Sequence, residues 1–389
     1  MLNHGSFIIS LDFEMMWGVK DICTPQGYGQ TNVKNVREVI SRMLDLFERY
    51  GAHATFATVG LAMFDNKEQA LHNLPHRLPQ YNNRNLSPYA DNYIEHIEEA
   101  YSELYFTPDI INRLKQASSY VEIATHTFCH YNCWAEGQSL EEFESDIAAA
   151  AAVAKLQGVE PPKSIVFPRN NVDADYVSVC GKYGITSYRG NAKRFYSKAQ
   201  SRIGRLWQRV ARLVDSYVHL TTTSVKYSLL TKCGTVLNIP ASRFLRPYSK
   251  RLSALERLKV RRIKRELRHA AKHNELYHLW WHPHNFGDNI EENLKNLEQI
   301  LKQYSDCNKK YGMQSYTMAE FCIFPAHRRK HYALDTIKLI FEMYKGKWEI
   351  KYNEKNKAAK ALWTKVTLNY SPKIHHLNEF ETIFEFINK

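Results

Sequence analysis

Four residues of metal-binding type fall within "ATHTFCHYNC" (124–133): His126, Cys129, His130 and Cys133. In a helical turn or a tight loop, residues at i and i+4 such as His126 and His130 face the same way. Two imidazoles at that spacing form half of a divalent-metal site. Two completions are open. The local one adds Cys129 and Cys133 and gives a closed, structural site. Its spacing argues against it, because such zinc sites separate two ligand pairs by roughly a dozen residues. The distant one draws on "SLDFE" (10–14), where Asp12 and Glu14 share one face of an extended strand. Carboxylates at the end of an apolar strand are costly to bury unless paired or metal-bound. One of them can complete an open metal site while the other takes a proton from water.

The elements that must position these groups follow from apolar patterning. Strands are predicted at 6–14, 53–60, 120–126, 164–168, 184–190, 235–240 and 275–284, and helices at 36–51, 109–119, 139–158 and 292–307. The helix at 139–158 opens on a capping box, Ser139 with Glu142, and stops at Gly158. Strand–helix alternation predicts an α/β fold with parallel strands. In such folds the chemistry gathers at strand C-termini. Asp12 and Glu14, His126 and His130, Arg169, and His282 and His284 all fall there.

The strings "SLDFE", "HTFCH", "FPRN", "YRGN" and "WWHPH" occur in this order between residues 10 and 284. Together they resemble the polysaccharide deacetylase family, the NodB-homology group or carbohydrate esterase family 4. The nearest flavour is the bacterial branch found with surface-polysaccharide or O-antigen synthesis. The resemblance covers residues 7 to about 325. It implies a distorted (β/α) barrel, about seven parallel strands, and metal-dependent removal of an acetyl group, foremost N-acetyl, from a sugar. By matching positions, Asp12 resembles the catalytic base, and Glu14, His126 and His130 the metal ligands, with zinc the expected ion. Arg169 resembles the arginine that orients the base. His282 resembles the general acid, with His284 as its substitute. Trp281, Arg189 and His284 are expected to meet substrate. Two departures stand out: Glu14 replaces the family's usual aspartate, and "FPRN" alters the usual order of its motif.

The net charge of +13 is concentrated: residues 193–270 hold 20 Lys/Arg against 3 Asp/Glu. Such a segment suits phosphate-bearing partners. Within it, 201–218 has an apolar face opposite Arg202, Arg205, Arg209 and Arg212. That is the pattern of a helix lying on an anionic membrane, or of one packed on a core. Residues 255–273 repeat it. The expected partner is an acetylated sugar or lipid-linked glycan. No nucleic-acid motif is present, so no nucleic acid is expected. No apolar run reaches the length of a membrane span. The start lacks the features of a secretory leader, and seven scattered cysteines suit a reducing compartment, so a cytoplasmic location is expected. The predicted layout is a barrel domain at 1–325, with a loop-rich insertion at 65–108 and a basic one at 193–270, then an extension at 326–389. A ring-opening amidase of the same superfamily and a non-catalytic polyanion-binding protein are the rival readings.

Overall fold

Strand β1 (Ser6–Phe13) is buried along its whole length. A fully buried strand needs a neighbour on both edges and a layer on both faces. It has them in the computed structural model, which describes residues 2–191, 213–217, 223–327, 332–353, 357–378 and 381–388. The chain divides into two units, Met1–Cys322 and Ile323–Lys389.

In the first unit β1 lies between β2 (Ala54–Thr58) and β9 (Leu276–Trp281), parallel to both. The sheet continues through β3 (Val121–Thr125), β4 (Ser164–Ile165), β5 (Ser187–Tyr188), β7 (Val236–Asn238) and the antiparallel β6 (Lys232–Cys233). Beyond β9 it ends at β8 (Arg243–Phe244), and β10 (Gln314–Tyr316) pairs with the start of β1. The result is a parallel sheet curled into a half-barrel. All seven strands predicted from the sequence are present. The three strands of this sheet that were not predicted, β6, β8 and β10, are two or three residues long.

Helices cover the sheet for the reasons the sequence suggests. Val36–Tyr50 buries Val36, Val39, Ile40, Met43, Leu44, Leu46 and Phe47, an i, i+3, i+4 stripe, and ends at Gly51 in the left-handed region (φ 60°). Leu140–Leu156 opens with the predicted Ser139/Glu142 capping box. Glu256–His273 lies within the predicted basic segment. Its apolar residues Val260, Ile263, Leu267, Ala270 and Ala271 are buried against the domain, so this face is not free to enter a lipid interface. Two of its cations are buried as well. Arg262 bonds Asp215 (2.9 Å) and Glu266 (3.0 Å), and Lys259 pairs with Glu256. The helix predicted at 201–218 lies almost wholly outside the described residues. No helix among the described residues is long and apolar enough to cross a membrane.

The second unit has a three-stranded antiparallel sheet, β11 (Gly346–Asn353), β13 (Glu381–Asn388) and β12 (Lys373–Asn378). Its core is Phe341, Ile350, Tyr352, Val366, Phe384 and Phe386.

Candidate active site

Because the long strands run parallel, their C-terminal ends open on one side, and the chemistry gathers there. Asp12 is the next-to-last residue of β1, with Glu14 one residue past the strand's end; His126 follows β3, Arg189 follows β5 and His282 follows β9. Glu14 has left the strand (φ −122°, ψ −12°), and its side chain folds back over Gly18. A Cβ at position 18 would land on the Glu14 carboxyl group.

The His126–His130 segment is a loop rather than a helix, with Thr127 (φ 65°) and His130 (φ 61°) in the left-handed region. Such a backbone costs of order 1–3 kcal/mol per residue unless its surroundings hold it. Buried Asp146 does so, accepting the Phe128 and Cys129 N–H groups (2.6 and 3.1 Å), while Thr127 Oγ1 accepts Tyr131 N–H (2.7 Å). Burial raises the Asp146 carboxyl to about 6.

Glu14 Oε2 lies 3.3 Å from His126 Nε2 and 3.1 Å from His130 Nε2. The tautomer of His126 is fixed by a neighbour. Its Nδ1–H donates to the Val166 carbonyl (2.8 Å), which can only accept, so Nε2 of the neutral ring carries a lone pair. That nitrogen is buried and has no hydrogen-bond partner. A lone pair held this close to a carboxylate oxygen is unfavourable without a cation between them. The donors also suit zinc: one carboxylate and two imidazoles, with Nδ1 of one oriented by a carbonyl behind it. The ligating atoms of Glu14, His126 and His130 lie within 4.8 Å of one another. A second such group, Glu14, His282 and His284, shares the same carboxylate. Cys129 and Cys133 are buried free thiols and belong to neither group. Burial pushes both thiols upward, which keeps them protonated.

Asp12 is gripped from one side. Arg189 bonds Oδ1 at 2.5 Å and Oδ2 at 2.7 Å, with both residues buried. The guanidinium also bonds Asn170 Oδ1 (2.9 Å) and Ser10 Oγ (3.1 Å), and it lies over the Trp280 ring at 4.1 Å. Burial raises the Asp12 carboxyl, but Arg189 and then His282 outweigh it and leave Asp12 below the ordinary range. For Glu14, burial is likewise outweighed by neighbouring histidines, His282 first, which hold it well below.

His282 Nε2 lies 3.6 Å from both Asp12 Oδ2 and Glu14 Oε1. Asn285 Nδ2–H donates to His282 Nδ1 (3.3 Å), so the proton of the neutral ring sits on Nε2. Burial lowers the His282 pKa against the pull of Glu14 and Asp12, which favours that neutral form.

Four expected placements differ in the structure. Arg169 does not reach Asp12; it pairs with Asp21 at 2.6 Å, after a residue-168 turn that puts it at φ 57°. Its expected contact with the base belongs to Arg189, which was expected on substrate but is buried against both oxygens of Asp12. Trp281 is fully buried between Phe47 and Phe286, because strand alternation points it away from the site. It is Trp280 that faces the site, against Arg189 and Phe244. His284 is buried on Glu14 Oε1 (3.1 Å) and does not line an open surface.

Ser10, Asn170 and His278 were not singled out from sequence. His278 and Trp280 share a face with His282 by alternation, which was the available signal. Buried His278 accepts the Ser10 hydroxyl on Nε2 (2.8 Å) and donates Nδ1–H to the Ile239 carbonyl (3.2 Å).

Residues 25–188 match the model of the polysaccharide deacetylase family. That range contains His126 and His130, while Asp12, Glu14, Arg189 and His282 lie outside it. Among solved structures, a protein from Mycobacterium smegmatis described as a polysaccharide deacetylase is similar, with 10% identity over 84% of this chain and 92% of that one, at a TM-score of 0.53. At that identity the likeness speaks for the fold. A family 4 carbohydrate esterase from Streptomyces lividans, solved with acetate, aligns over 81% of this chain and 93% of its own at 12% identity. Its TM-score of 0.35 is too low to bear on the fold. No curated protein sequence matches the chain. The family match spans less than half of the chain, and the likeness to the Mycobacterium smegmatis structure adds the fold.

Proposed function

We propose that the protein is a divalent-metal hydrolase that removes an acetyl group, foremost an N-acetyl group, from a sugar. The sugar belongs to a surface polysaccharide, lipopolysaccharide or lipid-linked glycan precursor. The observation that carries the reading is the division of labour between two neighbouring carboxylates. Glu14 faces two imidazole nitrogens, and Asp12 faces an arginine and a histidine N–H.

Glu14, His126 and His130 would hold the ion, with zinc the best match to the donors. Bound there, a divalent ion supplies Lewis-acid polarisation of the acetyl carbonyl and a lowered pKa for water. Asp12, kept ionised by Arg189, accepts the proton of the attacking water. Arg189 spans both oxygens of Asp12 and so fixes where that proton is received. His282 presents Nε2–H to the same space, where the neutral ring donates a hydrogen bond to the carbonyl oxygen as it gains charge, and the proton held by Asp12 passes to the departing sugar nitrogen. The transfers balance: one proton leaves the water for Asp12 and then leaves Asp12 for the amine. Amide hydrolysis needs both, because an unprotonated amide nitrogen is a poor leaving group.

The testing experiment pairs metal analysis with acetate release. Wild type is expected to carry about one zinc, lost in Glu14→Ala/His126→Ala and kept in Cys129→Ser/Cys133→Ser. Acetate release from acetamido sugars, with none from cyclic ureides or imides, would support the deacetylase over the amidase. Zinc that follows the cysteines would remove the centre of the proposal.

A further inference from the structure

Glu14 has two oxygens, and the metal reading uses only one. Oε2 faces His126 and His130, whereas Oε1 lies 3.1 Å from Nε2 of His284, a nearly fully buried residue. A carboxylate oxygen only accepts, so the proton in this contact belongs to His284 Nε2. Nδ1 of the ring is then a lone pair, and the Tyr28 hydroxyl donates to it across 2.7 Å. Tyr28 stands edge-on to the imidazole, with centroids 5.5 Å apart and planes at 82°. Asn285 Oδ1 lies 3.2 Å from the same hydroxyl. The backbone of His284 is also held, because its carbonyl accepts Asn32 Nδ2–H (3.2 Å) in the turn Pro283–Phe286.

We propose that His284, backed by Tyr28, is a positioning residue that holds the second oxygen of Glu14 so that the first faces the His126–His130 pair. The proposal rests on the reading of Glu14, His126 and His130 as the metal site. Its physical basis is reach and freedom. A glutamate has one more rotatable bond than an aspartate, and the space over Gly18 lets this side chain fold back. Without an anchor on Oε1, the carboxylate would spend its time among several rotamers. With one, only the metal-facing rotamer remains. Partners that orient a ligand in this way are worth about 10–100-fold in metal affinity.

The test is a zinc titration of the full-length protein against a chromophoric chelator, with the cobalt(II) absorption spectrum as a second readout. His284→Leu is expected to weaken zinc roughly 10–100-fold and to shift the cobalt bands. His284→Gln, whose amide N–H can reach the same oxygen, is expected to recover most of the affinity. In Glu14→Asp the carboxylate falls short of His284, so adding His284→Leu there should change little. Tyr28→Phe leaves the ring in place and removes only its donor; a several-fold weakening is expected, and it serves if His284→Leu does not fold. Wild-type affinity in His284→Leu, or glutamine no better than leucine, overturns the proposal while the metal site stands. Two zinc ions in wild type falling to one in His284→Leu would make His284 a ligand of a second ion and also overturn it. A wild type that binds no zinc overturns the metal reading, and the proposal with it.

Discussion

Arg189 meets both oxygens of Asp12, at 2.5 and 2.7 Å, and neither side chain is exposed to solvent. A bidentate, buried pair fixes the direction of a carboxylate more firmly than any single hydrogen bond. Breaking such a pair from one side leaves an unpaired buried charge, at a cost of roughly 3–5 kcal/mol. Arg189→Leu is therefore expected to lower stability by about that amount in denaturant melts. The equivalent change at Arg169, whose side chain is partly exposed and paired with Asp21, should stay within about 1 kcal/mol. Equal effects at both positions would contradict the assignment of Arg189.

Asp12→Asn keeps the shape of the site and removes its base. Zinc content should be unchanged, and acetate release should fall by roughly two to four orders of magnitude. Near-normal turnover in this variant would exclude Asp12 as the proton acceptor.

Gly18→Ala tests the space that Glu14 occupies. The added methyl group meets the Glu14 carboxyl group rather than backbone, so the fold should survive while the carboxylate is pushed aside. The expected outcome is a folded protein by circular dichroism that has lost most of its zinc. Retained zinc would show that Glu14 reaches the ion by another path.

Buried His278 predicts a pH dependence of stability. Burial first, and then the nearby Arg189 charge, lower its pKa to about 3 from an ordinary 6.5. Between those values the unfolded chain binds a proton that the folded chain refuses, so stability falls as pH falls. The slope from this one group approaches 1.4 kcal/mol per pH unit well inside the window. In denaturant melts, wild type should therefore lose more stability between pH 6.5 and 5 than His278→Gln does. Parallel pH dependences in the two proteins would refute it.

In the first unit the sequence revealed the strands because each long one is an apolar run ending in polar residues, as "FIISLDFE" and "YHLWWHPH" are. It revealed the identity of the site residues less evenly. Asp12, Glu14, His126 and His130 stand out because carboxylates at the end of an apolar strand are costly to bury unless paired or metal-bound, and the two imidazoles at i and i+4 can share a face. The partner of Asp12 did not stand out, because Arg169 and Arg189 both follow short strands and nothing in one dimension tells which guanidinium turns inward. The turn at Pro168 decides it by placing Arg169 at φ 57° toward Asp21. The two tryptophans show the converse. Alternation along β9 already implies that one of Trp280 and Trp281 is core, and only the register against β1 says that it is Trp281. His284 was named, but its place beside Glu14 was hidden for a different reason: the contact spans 270 positions and depends on a side chain folding back over a glycine.

The place of β1 in the sheet has a consequence for synthesis. One edge of this strand is covered by β2, which follows it closely in the chain. The other edge waits for β9, and Glu14 is separated from His284 by 270 positions. At roughly 5–20 residues per second, a ribosome needs tens of seconds to bridge that interval. Throughout it the nascent chain carries an apolar strand with one row of backbone groups unpaired, a template for any other copy emerging nearby. The strand that anchors the two acids is thus also the segment that a growing chain must keep shielded until its last neighbour arrives.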